Sequence, residues 1–172
     1  MKTRLWLFLL TLLLSAVAPL EVSARGDSWA RGEAMVANDE GTTMVSFTAM
    51  GGVDGATGQI DIRDSTPIPD QDVDGTGDKT LAGSPDGVKL QATVNCLAVS
   101  GDVAIVGGEV TAASLDRYVG KQVLLFVEDS GKAKGRFSWG FYETQKHYFC
   151  ATFPWGAYTP DRTGGGSLQV QE

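Results

Sequence analysis

One stretch of this sequence carries a pattern with a specific chemical meaning: Asp70-Gln71-Asp72-Val73-Asp74-Gly75-Thr76-Gly77-Asp78. Carboxylates at its first, third, fifth and ninth positions can turn toward one centre. Gly at the sixth position permits a sharp bend, and the carbonyl of Thr76 at the seventh adds an oxygen. Ca²⁺ takes about six to eight hard oxygens. Asp70, Asp72, Asp74, Thr76 and Asp78 would supply most of that shell, with Asp64 or Asp86 as a distal ligand and water completing it. The competing reading is a solvated acidic turn, because Asp and Gly form turns without any metal. An extracellular site of this type binds at about 10⁻⁴ to 10⁻³ M, so its role would be to order the loop.

Other chemistry is sparse. His147 is the one histidine, and no Ser stands in a Gly-x-Ser-x-Gly elbow for it to activate. Cys150 with His147 would make a thiol–imidazole pair, although both read more simply as strand-end residues. Glu109 with Glu128 or Glu143 are the carboxylate pairs that glycoside hydrolysis would need. Phosphate-cradling loops and dinucleotide fingerprints are absent. Trp155 and Tyr158 lie in the loop Pro154-Trp155-Gly156-Ala157-Tyr158-Thr159-Pro160. Such rings either stack on a sugar or a partner's apolar patch, or fold back over the core, and both readings stay open.

The elements that must position these groups are short strands. Val88 to Thr111 reads as a β-hairpin: Val88, Leu90, Ala92, Val94, Cys96 and Ala98 alternate with more polar residues, Ser100-Gly101-Asp102 makes the turn, and Val103 to Val106 return. Glu33 to Asn38 and Thr42 to Ala49 pair across Asp39-Glu40-Gly41, and Gln59 to Arg63 alternates again. Gln122 to Glu128 is a continuous apolar run suited to a strand buried on both faces. Arg136 to Glu143 and Ser167 to Gln171 complete the set, with Phe137, Trp139 and Phe141 sharing one face as core residues. Ala112 to Val119 offers one helical turn, and no helix of any length follows the leader. The expected fold is all-β, a single-domain antiparallel β-sandwich or barrel spanning residues 25–172, with the polar stretch 64–86 as an inserted acidic loop.

The first 24 residues read as a signal peptide: Lys2 and Arg4 precede the apolar run Leu5 to Leu14, and Val22-Ser23-Ala24 offers a cleavage site. That run is too short to cross about 30 Å of hydrocarbon. The expected product is a secreted or periplasmic chain beginning at Arg25, without a membrane span. The precursor has a formal charge of −7, which becomes −8 once Lys2, Arg4 and Glu21 are gone. An acidic balance argues against nucleic acid and anionic membranes as partners. It is compatible with a cation ligand, or simply with solubility; a glycan or a cell-surface protein is the expected partner class. The two cysteines, Cys96 and Cys150, fit a disulfide in an oxidising compartment, or two buried thiols.

Two resemblances rest on these residues. Asp70 to Asp78 resembles the DxDxDGxxD loops of integrin-type propellers, and the first nine positions of an EF-hand loop. Leu81 stands where an EF-hand carries its bidentate Glu, and no flanking helices are expected, so the shorter loop type fits better. Separately, Thr93 to Gly108 resembles a block of uncharacterised secreted bacterial proteins with VTCLxVxGNxAxIxG, then VxDNG, then FS, then a terminal GxIQV. Val127-Glu128-Asp129-Ser130-Gly131, Phe137-Ser138 and Gly166-Ser167-Leu168-Gln169-Val170 follow in that order. The acidic loop departs from the pattern as an insertion, as do Lys132 and Lys134. This resemblance implies an exported all-β fold and carries no activity. The expected function is therefore a secreted, non-catalytic binding or surface-associated module with a calcium-ordered loop. An extracellular polysaccharide hydrolase or a purely structural envelope protein stand behind it.

Overall fold

The computed structural model describes residues 28–52, 55–72, 80–129, 131, 135–142, 150, 162–163 and 165–172. It is antiparallel β throughout, as the alternating segments require. β1 (Trp29–Asn38), β2 (Gly41–Gly52) and β3 (Gly55–Asp64) form a meander, and β6 (Val88–Ser100), β7 (Val103–Ala113), β8 (Gln122–Glu128) and β9 (Arg136–Tyr142) continue it. A small hairpin, β4 (Gln71–Asp72) with β5 (Thr80–Leu81), is inserted between β3 and β6. Asp116–Tyr118 forms a single 3₁₀ turn.

The last segment decides between sandwich and barrel. β10 (Arg162–Thr163) pairs with the start of β9, and β11 (Gly165–Gln171) pairs with β1 from Met35 to Trp29. Both edges of the sheet are thus hydrogen-bonded by one ten-residue stretch, 162–171. The sheet curls until its edges meet along that seam. Leu168 packs against Gly135, and the Val170 N–H donates to Asp129 Oδ2 at 3.4 Å, past the start of β9. The architecture is a barrel-like curled sheet, with one inner face rather than two facing sheets.

That inner face is filled. Val45, Phe47 and Ala49 of β2, Ile60 and Ile62 of β3, and Val88, Leu90, Ala92 and Val94 of β6 meet Val123, Leu125 and Val127 of β8 there. Phe137 and Phe141 join them, with Trp139 packed alongside, so the three aromatics of β9 do share the core face. Phe141 stacks on Tyr118 with ring centroids 4.5 Å apart and meets Trp139 edge-on at 5.4 Å. The alternation read in β2 holds, and Gly101 makes the β6–β7 turn with φ 61°.

One alternation does not run its full length. The register of β6 against β7 slips between Val94 and Cys96, leaving Asn95 as an extra residue. A bulge of this kind inverts the facing of all that follows it. Leu97 therefore points inward, whereas Cys96 and Ala98 belong to a second cluster on the outer face with Ile105, Leu124, Phe126 and Cys150. β8 is buried on both faces for this reason, Val123, Leu125 and Val127 inside and Leu124 and Phe126 outside.

Cys96 and Cys150 are bonded, with Cα atoms 6.0 Å apart. The bridge lies flat on β7 at Gly107, where a Cβ would meet both sulfurs. Closing a loop with a sequence separation of 54 stabilises the fold by roughly 4 kcal/mol in the chain-entropy model. The expected outcome for Cys96→Ala with Cys150→Ala is a loss of about that size in guanidinium unfolding. Gly107→Ala, with the cysteines intact, should also lower the midpoint. A double variant as stable as the parent would overturn this account.

Candidate functional site

The flanks of the acidic stretch are structured. They form the β4–β5 hairpin, rooted by a reciprocal backbone pair between Ile68 and Ser84, at 2.7 and 2.8 Å. Ile68 and Leu81 are buried in the main core and anchor the insertion against one end of the sheet. Arg117 clamps its base, donating from Nε to the Ala82 carbonyl at 3.2 Å and from Nη2 to that of Gly83. Tyr118 Oη donates to the same Ala82 oxygen at 3.1 Å. The Gln71 side-chain carbonyl accepts the Phe141 N–H at 3.1 Å, covering the edge of β9 beyond the reach of β10.

Asp72 pairs with Thr80. Asp74, Thr76 and Asp78 fall between these two in sequence, outside the described residues. Asp72 is placed by its backbone in β4. Asp70 is exposed and its Oδ1 accepts the Gly83 N–H at 2.7 Å, so one of its oxygens braces the hairpin and the other remains. Asp86 is exposed in the turn before β6. Among the described residues no group of three or more His, Cys, Asp or Glu is placed to hold a metal ion. Trp155, Tyr158 and His147 also fall outside the described residues.

Asp64 has a different role from that of a distal calcium ligand. It ends β3 facing inward, 4 % exposed. Its Oδ1 accepts the Thr66 N–H at 2.9 Å and the Thr66 hydroxyl, and its Oδ2 accepts Trp139 Nε1–H at 3.0 Å. Thr43 adds a further side-chain hydrogen bond. Both oxygens are engaged in hydrogen bonds within the protein. Sequence reasoning missed this buried role, although Asp64-Ser65-Thr66 is the residue pattern of an Asx turn. The partner Trp139, 75 positions away, left no local trace.

The carboxylate pairs considered for hydrolysis are also resolved in part. Glu109 lies opposite Gln122 and Glu128 opposite Val103, six positions apart along β7, roughly 20 Å at about 3.4 Å per residue. Glycosidase carboxyls stand about 5–9.5 Å apart. Glu128 instead pairs with Arg136 at 3.3 Å. Glu109 and Glu128 are not a catalytic pair; Glu143 falls outside the described residues. No protein-family model, curated protein or solved structure matches the chain.

Burial alone would raise the Asp64 pKa, but the hydrogen bonds from Thr66, Thr43 and Trp139 outweigh it and hold the group below its ordinary 3.8. The folded state therefore binds its proton less readily than the unfolded chain. Its contribution is fully present above the unfolded value near 3.8 and is lost as pH falls through the lower folded value. Asp64→Asn should cost about 3 kcal/mol at neutral pH, since its amide cannot accept from all of these donors. The penalty should shrink in acid. Urea midpoints for both proteins from neutral pH down to about pH 2 would check this, and parallel profiles would overturn it.

Proposed function

We propose that the chain is an exported, non-catalytic binding or surface-associated β module whose acidic hairpin is ordered by calcium. The observation that carries this reading is the filled interior. Phe47, Ile60, Ile62, Leu90, Tyr118 and Phe137 occupy the space that a ligand-enclosing barrel would leave open, all of them under 5 % exposed. The buried carboxylate among them, Asp64, is consumed by the fold. Ligand contact then belongs to the outer face and the rims, where the acidic hairpin stands.

Export is supported by the disulfide, which persists in oxidising compartments, and by the basic and apolar leader of the sequence. Among the described residues no helix is long and apolar enough to cross a membrane. The hydrolase reading loses its Glu109–Glu128 pair to the register. A glycan or a cell-surface protein remains the partner class that fits an acidic, polar exterior. Calcium would bind through Asp72, Asp74, the Thr76 carbonyl and Asp78, with Asp70 giving its remaining oxygen.

Thermal unfolding of residues 25–172 with calcium and with chelator tests the metal. A site of about 10⁻⁴ to 10⁻³ M at tens of millimolar calcium should stabilise by about 1–3 kcal/mol, a rise of several degrees. Asp72→Asn with Asp74→Asn should abolish the rise. An equal response in both proteins, or none in either, would sink the calcium assignment. The binding assignment is tested by co-sedimentation with insoluble cell-surface polysaccharide and assay of released sugar. Retention without release is expected; release of sugar would establish the hydrolase instead.

A further inference from the structure

On the outer face, one row of side chains crosses four adjacent strands. Met35 of β1 lies opposite Met44 of β2, Met44 opposite Arg63 of β3, and Arg63 opposite Lys89 of β6. The row is apolar at one end and cationic at the other. Both methionines stand in water, Met35 50 % and Met44 45 % exposed. Arg63 and Lys89 are exposed too, and among the described residues neither makes an ion pair. Asp61, the nearest acid on the same face of β3, accepts from Gln91 Nε2 at 2.8 Å instead.

Two like charges directly opposite on neighbouring antiparallel strands repel one another. Their pairing stands out in a chain with 14 basic and 21 acidic residues. The cationic end opens into a groove of about 450 Å³ at the rim, bounded by Met44, Arg63, Asp86, Lys89, Ser114 and Leu115. That volume lies in the range of small-molecule sites. Its floor is held by Gly87, at φ +73°, where a Cβ would strike the Asp64 carbonyl.

We propose that this groove binds a small carboxylate carrying an apolar body, with the head group between Arg63 and Lys89 and the body over Met44 and Met35. A carboxylate converts the repulsion between the two cations into attraction to both, and the Arg63 fork matches its geometry. The thioether side chains adapt to an irregular apolar surface. The source is a free small molecule rather than a membrane or an acidic polymer. Beyond the two cations the protein carries a net negative charge, which would repel an extended polyanion more than a small monoanion. Asp86 at the groove's edge favours a single negative charge over a cluster.

Octanoate is the probe, titrated by calorimetry into residues 25–172, with acetate and 1-octanol as head-only and tail-only controls. Saturable one-to-one octanoate binding is expected, with each control weaker by at least about tenfold, the scale of one charge-assisted hydrogen bond. Arg63→Gln with Lys89→Gln should weaken octanoate by a similar factor, and Met44→Gln by a few-fold. The double charge variant should melt no lower than the parent, because it removes a repulsive pair, so lost binding is separable from lost fold. Undiminished binding by that variant, or acetate binding as tightly as octanoate, would overturn the proposal. So would the absence of saturable octanoate binding, including the case in which phosphatidylglycerol vesicles alone are bound.

Discussion

A strand edge exposes a row of backbone donors and acceptors, and a curled sheet has two such edges to satisfy. Here both are satisfied by residues 162–171, which hydrogen-bond β9 at one end and β1 over the rest. The inner face depends on that seam. Without it β1 and β9 would diverge, and Ala30, Ala34, Phe137 and Leu168 would lose the enclosure that buries them. Where β10 stops, the Gln71 side chain takes over at the Phe141 N–H. The inserted hairpin is thus a structural complement to the seam as well as the carrier of the acidic stretch.

Much of this was legible from local pattern. Turns at Asp39-Glu40 and Gly101-Asp102 were plain because hairpins place characteristic residues at fixed positions. The double-sided burial of β8 was plain because Gln122 to Glu128 lacks any alternation. The reversal at Asn95 was not legible: a bulge is defined by the partner strand, and a run such as Val94-Asn95-Cys96-Leu97-Ala98-Val99 fits either phase. Cys96 looked like a core residue for that reason, although it lies on the outer face with its disulfide partner.

The candidate site divides in the same way. Spacing alone drew attention to Asp70 through Asp78, but a polar composition hid the two apolar anchors, Ile68 and Leu81, that fix the hairpin to the core. Asp64 looked available as a ligand because, besides the local Thr66, its donors come from other strands, Thr43 in β2 and Trp139 in β9. The row from Met35 to Lys89 was equally hidden, since it exists only once four strands are in register. Chemistry assembled across strands is invisible to a reading that moves along one of them.

The seam also sets an order of events. Arg31 and Gln169, hydrogen-bonded side chain to side chain at 2.9 Å, are 138 positions apart, whereas the hairpins within the meander join near neighbours. Contacts of such long range form late, because the entropy of closing the intervening chain must be met first. The contacts within the meander from β1 to β9 are therefore expected to form first, leaving β1 to wait for its last neighbour. Arg31 and Glu33, pointing outward along β1, are charges suited to keeping another molecule from taking that place during the wait.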